Sequence, residues 1–241
     1  MKKYYLLVLC FGAFFNVIAA ENTATELPLL KEKVNRAILK FEQTNKNLWA
    51  YQISRFEDEE GDISSSIEQH SPQEDKPWSL KKIDGQLPTK KQIKSFAKKK
   101  QKQSDSVKKE QNIQLPLREL IHHESLSLVS IDDKYIVMAF NVHLNKLGED
   151  SMGKLQGQLT YQKENQFIEK ISIWNNADFS PMFTANITDL AINFTFSHIN
   201  GAVLAKQNEM KMKGSFAYFT EINETSLDSF SDYLYQGNVI K

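Results

Sequence analysis

Residues 154–175 read KLQGQLTYQKENQFIEKISIWN, and this stretch carries the pattern that decides the fold class. Apolar or small side chains alternate with polar ones over 155–161 and again over 167–173. Because successive side chains of a strand point to opposite faces, each run predicts a strand with one buried face. Glu164 and Asn165 form a polar turn between the two runs. The stretch therefore predicts a β-hairpin within an antiparallel sheet.

The same alternation continues on both sides of this hairpin. Asn200-Gly201 predicts a two-residue hairpin loop, since both residues accept the positive φ that such loops need. Consecutive strands joined by short turns, with helices at the N-terminal side, predict an α+β fold built on one curved antiparallel sheet. The predicted strands are 126–131, 135–144, 154–163, 167–175, 182–197 and 202–219, and the last two are long enough to be divided.

Helical patterns flank the strands. Apolar residues recur every three or four positions over 25–47, which predicts an amphipathic first helix followed by a strand at 48–53. Residues 57–75 are acidic and poor in apolar side chains, so we predict a loop or mobile insertion there. At the other end, apolar residues at helical spacing predict a short helix over 225–236.

The first 19 residues have the composition of a secretory signal peptide. Lys2 and Lys3 precede an apolar run, and small residues lie before Ala20 where a signal peptidase would cut. The apolar run covers about 16 residues, which is short of the ~20 that span a bilayer. We therefore predict a cleaved signal peptide at 1–19.

Cleavage would remove Cys10, the one cysteine of the chain. A secreted protein held together without disulfides fits a bacterial periplasm better than a eukaryotic extracellular space. We predict periplasmic localisation, in a Gram-negative bacterium, for a protein with a single domain at 20–241. That domain carries a charged insertion at about 57–112.

Residues 76–102, KPWSLKKIDGQLPTKKQIKSFAKKKQK, begin the most basic part of the chain. A short strand is predicted at 78–83, and Thr89 with Gln92 resembles a capping box at the start of a helix. Between Lys76 and Lys109 there are twelve lysines and no arginine. Because arginine forks and aromatic platforms dominate nucleic-acid recognition, this composition argues against nucleic acid as a partner.

Two interpretations of the lysines remain. The first is a solvated helix whose charge is balanced by the acidic run at 57–62. The second is loose attraction to an anionic membrane surface, to which each lysine near the surface contributes on the order of 1 kcal/mol. In that case the contact residues would be Lys98, Lys99, Lys100 and Lys102.

The order of these elements resembles the lipoprotein carrier (LolA/LolB-like) superfamily of bacterial periplasmic proteins. The resemblance rests on the signal peptide, the first helix, WSLKKIDGQLPTKKQI at 78–93 and GKLQGQLTYQKENQFIEKISI at 153–173. It implies an unclosed half-barrel with the N-terminal and inserted helices across its concave face. Between sheet and helices, a protein of this type encloses an apolar cavity for acyl chains.

Methionine and aromatic side chains adapt to irregular apolar ligands, so they are the candidates for lining such a cavity. For each of them the alternative is an ordinary place in a filled core. We predict a monomeric binding module that sequesters a lipid, a lipidated protein or another apolar ligand. The alternative is a structural or protein-interaction domain of the same fold. The candidate lining residues are Trp49, Trp78, Met138, Phe140, Trp174, Met210, Met212 and Phe216.

The sequence offers no pattern for catalysis or metal binding. His122 and His123 are adjacent, and neighbouring side chains diverge on both strands and helices, so they do not converge on one ion. Neither G-x-S-x-G nor H-E-x-x-H occurs, and signal cleavage would leave no thiol. We predict a protein that is not an enzyme, with no catalytic residue, metal or cofactor.

The signal-peptide prediction is testable on the secreted protein. We expect a mature N-terminus at Ala20 or Glu21 without attached lipid, because the apolar run is short and Leu9 is too large to precede a lipid-modified cysteine. N-terminal sequencing and intact-mass measurement check this. An intact Met1 or an acylated Cys10 would contradict it.

Overall fold

An antiparallel sheet of eleven strands forms the body of the protein. The computed structural model describes residues 15–109, 117–142, 144, 147–217 and 220–237, with side chains from Glu26 in the first helix and up to Lys102 in the second. The strands are Trp49–Glu59 (β1), Asp62–His70 (β2), Trp78–Ile83 (β3), Ser127–Ile131 (β4), Tyr135–Asn141 (β5), Leu155–Gln162 (β6), Phe167–Asn175 (β7), Phe179–Met182 (β8), Ala185–Ile199 (β9), Ala202–Phe216 (β10) and Thr220–Tyr235 (β11).

The sheet order is β3-β2-β1-β11-β10-β9-β7-β6-β5-β4, and β8 pairs with β9 outside this path. Every pairing is antiparallel, and the two ends, β3 and β4, do not meet. The fold is therefore α+β with a curved sheet that is not closed into a barrel, as the alternation predicted.

Within the described residues, three α-helices accompany the sheet: Phe15–Gln43 (α1), Lys90–Lys109 (α2) and Leu117–Leu120 (α3). The helix predicted at 25–47 ends at Gln43 and begins further upstream, so the predicted cleavage point lies inside α1. The capping box of α2 is confirmed, because Thr89 N donates to Gln92 Oε1 at 2.8 Å and Gln92 N donates to Thr89 Oγ1 at 3.3 Å. Residues 1–14 of the predicted signal peptide and 110–112 of the predicted insertion lie outside the described residues.

One face of the sheet packs against α1. Directly opposed residues of an antiparallel pair share a face, and Met138, Leu159 and Ile171 are opposed in turn across β5, β6 and β7. All three are fully buried. The α1 residues in the same core are Leu30, Val34, Ala37, Ile38 and Phe41. This helix-covered face is called the concave face below.

The alternation predicted for β6 is confirmed, because Leu155, Gly157, Leu159 and Tyr161 are all buried while the residues between them are half-buried. In β7 strict alternation predicts Phe167, Glu169, Ile171 and Ile173 on the inward face, but Ile168 is buried in place of Glu169. A register shift between Thr160 and Tyr161 brings Ile168 opposite Tyr161, so Ile168 is buried.

The loop or mobile insertion predicted at 57–75 is wrong over most of its length. β1 continues to Glu59 and β2 occupies Asp62–His70, with a two-residue turn at Glu60 (φ 56°) and Gly61 (φ 91°) between them. Positive φ at both central residues is the geometry of a tight hairpin. The low apolar content misled the prediction, since this hairpin carries serine and charged side chains on strands that remain fully paired.

The helix predicted at 225–236 is wrong as well, because this segment belongs to β11. Phe230 and Tyr233 are three residues apart, which suggested a helix. A bulge at Asp232, where φ is 57°, adds one residue to the strand opposite Ala50–Gln52. A bulge shifts the alternation by one position, so both rings reach the same aromatic neighbour, Tyr51.

The structure divides one of the two longest predicted strands and leaves the other undivided. The predicted strand 182–197 starts at the end of β8, and β9 takes its remainder from Ala185 to Ile199. The predicted strand 202–219 is one strand, β10, up to Phe216, and residues 218 and 219 lie outside the described residues. The Asn200-Gly201 hairpin is confirmed, with φ of 47° and 85°.

Gly157 provides a direct test of the core register. A Cβ added here would overlap the Phe140 ring and come within 2.8 Å of Val142 Cγ2. We expect Gly157→Ala to lower the free energy of unfolding by about 1–3 kcal/mol, as overpacking does in a filled core. Chemical denaturation measures this, with Gln158→Ala on the opposite face as the control. Equal stability of the two variants would contradict the register.

Candidate functional site

Strands β9, β10 and β11 carry an apolar surface on the concave face that is less buried than the core. Ile192 is opposite Met210, and Gly214 is opposite Ile222, which places these residues on the face that packs against α1. We call this surface the apolar band. Its members are each half-buried, and they are Ile192, Phe194, Met210, Met212, Ile222 and Phe230.

On β11, Glu224, Ser226 and Asp228 lie on the same face between Ile222 and Phe230, so Phe230 is apart from the rest of the apolar band. Phe230 begins a row of aromatic rings that continues on β1, β2 and β3. The Phe230 and Tyr51 ring centroids are 6.1 Å apart, those of Tyr51 and His70 5.0 Å, and those of His70 and Trp78 4.8 Å. Such spacings are typical of offset or edge-to-face contacts. We call Phe230, Tyr51, His70 and Trp78 the aromatic row. It connects the apolar band to the edge strand β3.

A cluster of four charged side chains lies beside the aromatic row. Arg55 Nε donates to Glu68 Oε1 at 2.9 Å, and Arg55 Nη1 donates to Asp228 Oδ2. Lys100 Nζ from α2 lies 2.7 Å from Glu68 Oε2. We call Arg55, Glu68, Lys100 and Asp228 the charge cluster. Its two positive and two negative groups compensate each other, as buried charges must.

Glu68 is the centre of the charge cluster. Its side chain is 8% exposed, whereas that of Arg55 is 27% and that of Asp228 is 23% exposed. Among the described residues, none gives Glu68 Oε2 a hydrogen bond of good geometry, so the ion pair with Lys100 compensates that oxygen. Burial raises the pKa of Asp228, although the adjacent Arg55 guanidinium opposes the effect.

The ammonium group of Lys100 lies inside a cage. Nζ is 4.1 Å from the centroid of the Trp78 ring and 5.2 Å from that of Phe96, with the Glu68 carboxylate on a third side. We call Glu68, Trp78 and Phe96 the ammonium cage. Burial lowers the pKa of Lys100, and the ion pair with Glu68 opposes this shift. The cage therefore holds its cation by charge and by the π faces of the rings.

The position of Lys100 does not favour the predicted contact with an external anionic surface, because its side chain is only 14% exposed and is paired with Glu68. Lys98, Lys99 and Lys102 are exposed on the same helix, and for them the prediction stays a prediction. The difference follows the helical period, since Lys100 is four residues after Phe96 and seven after Ile93, on the stripe that faces the sheet.

Two clefts are lined in part by aromatic side chains. One of about 340 Å³ is lined by His70, Trp78 and Lys100 together with Asp75, Lys76 and Pro77. Another of about 490 Å³ lies at the C-terminal end of α1, between Thr44, Trp49 and Tyr235. The first cleft opens directly onto the ammonium cage.

The predicted lining residues separate into six environments. Met138 and Phe140 are buried in the filled core under α1, and Trp49 is buried beside the 490 Å³ cleft. Met210 and Met212 belong to the apolar band, and Trp78 belongs to the ammonium cage. Trp174 is 40% exposed on the opposite face of β7, and Phe216 is 45% exposed at the end of β10. These eight side chains therefore do not line one common cavity.

Sequence reasoning missed the residues of the charge cluster and the neighbour of Trp78 in the aromatic row. Glu68 and His70 lie in the stretch that was predicted to be a loop, and Asp228 lies in the predicted C-terminal helix. Two signals could have found them. Glu60-Gly61 is a hairpin turn sequence between strands of similar length, and Ile93, Phe96 and Lys100 mark one face of α2.

Other chemistries find little support in the described residues. Within them, no group of three or more histidine, cysteine, aspartate or glutamate side chains could hold a metal ion. In the part of the chain that the structure describes, no helix is long and apolar enough to cross a membrane.

Comparisons with known proteins give one structural similarity. No protein-family model matches the chain, and no curated protein matches it. The chain is similar to the crystal structure of a DUF1329 family protein from Desulfovibrio piger, with a TM-score of 0.34 and 6% sequence identity. The match covers 88% of this chain and 94% of that one.

His70 should make stability depend on pH. Its Nδ1 lies 3.0 Å from the Trp49 carbonyl oxygen, and burial, with a contribution from the Lys100 charge, holds the pKa of His70 below its ordinary value of 6.5. As the pH falls through 6.5, the unfolded chain takes up a proton that the folded state resists. We expect the free energy of unfolding to fall from pH 7.5 to pH 5, and His70→Gln to reduce that slope.

Urea denaturation across this pH range measures the effect. His122→Gln, at an exposed position, is the matched control for the substitution itself. If His70→Gln and the wild type lose stability in parallel, His70 does not titrate in the way that its burial indicates.

Proposed function

We propose that the protein is a non-enzymatic binding module that holds the apolar part of an amphiphilic ligand, such as an acyl chain, on its concave face. The observation that supports this most directly is the apolar band. Its side chains are half-buried, whereas their neighbours Leu159, Ile171 and Ile173 on the same face are at most 1% exposed. Apolar surface that the core leaves partly open is available to a ligand.

The filled core under α1 limits where such a ligand can lie. Met138 and Leu159 are fully buried and pack with Phe41 of α1 in one cluster. A chain could enter that region only by displacing α1 side chains. The apolar band needs no such displacement, and its two methionines provide unbranched, adaptable side chains.

The dimensions of the band suit a hydrocarbon chain. From β9 through β10 to β11 there are two strand spacings, or about 10 Å at ~4.8 Å each. Each methylene group that leaves water for this surface contributes roughly 0.8 kcal/mol. Binding would be reversible and would involve no covalent step.

The sequence supports a proposal for the compartment of this protein and for its attraction to a membrane surface. A cleaved signal peptide at 1–19 would place the module in the periplasm, as in the lipoprotein carriers that the order of elements resembles. Lys98, Lys99 and Lys102 on the exposed side of α2 would then draw it loosely to anionic headgroups. Because these contacts are exposed, they should weaken with salt.

The filled core favours a second candidate function. A structural or protein-interaction domain of this fold needs no open apolar surface, and the cluster under α1 is packed as such a domain requires. The two functions differ in whether the apolar band takes up a hydrocarbon chain.

Titration with a fluorescent fatty acid tests the proposal. We expect saturable binding with micromolar affinity by the native protein. Met210→Ser should weaken it about five- to thirtyfold, since removing two to three buried methylene equivalents costs about 1–2 kcal/mol. Leu227→Ser is the matched control, because Leu227 is equally half-buried on β11 but faces the opposite side of the sheet.

Two outcomes would contradict the proposal. Absence of saturable binding by the native protein would favour the interaction domain. Equal weakening by Met210→Ser and Leu227→Ser would show that the probe does not bind on the concave face.

A further inference from the structure

We propose that the ammonium cage is a binding site for an external alkylammonium group, such as the headgroup of an aminolipid, and that Lys100 occupies it as an internal competitor. The cage has the two elements that recognise organic cations, a carboxylate and aromatic faces. Glu68 Oε2 lies 2.7 Å from the Lys100 ammonium, and the Trp78 ring centroid lies 4.1 Å from it.

The fixed part of the cage belongs to the sheet. Glu68 is on β2 and Trp78 is on β3, where Glu68 is opposite Leu80 and His70 is opposite Trp78. Arg55 holds the other carboxylate oxygen of Glu68 at 2.9 Å, so the carboxylate keeps its position and charge when Lys100 moves away. The sheet therefore presents a preformed anionic and aromatic surface.

The movable part of the cage belongs to α2. Lys100 and Phe96 reach the sheet from this helix, whose other inward residue, Ile93, is 45% exposed. A helix with so narrow an apolar contact gains little from packing. A buried ion pair also contributes little net free energy, because the desolvation of both charges offsets their attraction. A cation of similar chemistry can therefore compete with Lys100.

The cleft of about 340 Å³ gives an external ligand access to the cage. Its wall includes Trp78 and His70, together with Asp75 and Lys76. An aminolipid headgroup carries an ammonium group and a phosphate. The ammonium would take the place of the Lys100 Nζ, and Lys76 supplies positive charge for the phosphate.

The aromatic row connects this headgroup site with the apolar band. The ring centroids of Trp78 and Tyr51 are 5.9 Å apart, and those of Tyr51 and Phe230, a member of the band, are 6.1 Å apart. A lipid with its ammonium in the cage could therefore extend its chain along the concave face. This chain placement rests on the proposed function, whereas the cage itself does not.

The cage is tested with propylammonium, which replaces the part of the side chain that Lys100→Ala removes. We expect Lys100→Ala to bind propylammonium at least tenfold more tightly than the wild type does, by calorimetric titration. Lys94→Ala, an equal change of charge at an exposed position on α2, should bind like the wild type. Adding Trp78→Leu to Lys100→Ala should remove most of the gain.

Lys100→Ser serves the same purpose if Lys100→Ala does not fold, because it also empties the space that the outer stem and the ammonium group of Lys100 fill. Equal affinities of the Lys100 variant and Lys94→Ala would overturn the proposal. So would a gain that persists without Trp78.

A second comparison separates a lipid source from a free amine. We expect the wild type to bind lysophosphatidylethanolamine about tenfold more tightly than lysophosphatidylglycerol of the same chain length, both below their critical micelle concentrations. Equal binding of the two would overturn the headgroup assignment and leave the proposed function intact. If neither binds while the Lys100 variant takes propylammonium, the proposed function fails and the cage is a site for a free alkylammonium.

Discussion

The pairing of β11 with β1 is the constraint on which the rest of the structure depends. β11 is the last strand of the chain, and it lies between β1 and β10 in the sheet. Without it, the hairpin strands β1, β2 and β3 would have no connection to the strands that pack under α1. The pairing runs from Trp49 opposite Tyr235 to Glu59 opposite Glu224, with one bulge. Because contacts between such distant segments cost loop-closure entropy before they stabilise the fold, we infer that this pairing forms late in folding.

Continuity of the sheet gives one face to residues from the whole chain. The opposed residues run from Met138 on β5 through Leu159, Ile171 and Phe194 to Asn208 on β10. Further across, Asp228 on β11 faces Arg55 on β1, and Glu68 lies opposite Ile53. The filled core, the apolar band and the charge cluster are therefore successive parts of a single surface. A ligand on this face would meet them in that order.

The sequence predicted the parts of this surface whose alternation is strict. Strands β6 and β7 and the Asn200-Gly201 hairpin could be located because their polar and apolar residues differ clearly at each step. The β1–β2 hairpin was missed because a paired strand with serine and charged side chains has the composition of a loop. β11 was missed because the bulge at Asp232 turns a two-residue period into a three-residue spacing. The site was missed for the same reason, since Glu68 and Asp228 lie on these two strands. Asp228 in addition meets Arg55 from 173 residues further along the chain.

The position of Lys100 explains why the lysine-rich helix lies where it does. Most of its lysines are exposed, and exposed charges contribute little to stability. Lys100 differs because the stripe begun by Ile93 and Phe96 turns it towards the sheet, where a lysine needs a carboxylate partner. Glu68 on β2 is that partner, and its Oε2 pairs with Lys100. The other carboxylate oxygen of Glu68 pairs with Arg55 on the neighbouring strand β1. The concave face thus changes from fully buried hydrocarbon under α1, through the half-buried band, to compensated charge under α2. An amphiphilic ligand of the proposed kind would place its apolar part on the band and its polar part on the charged end of this surface. A purely apolar ligand would make no contact of matching polarity with the charged end.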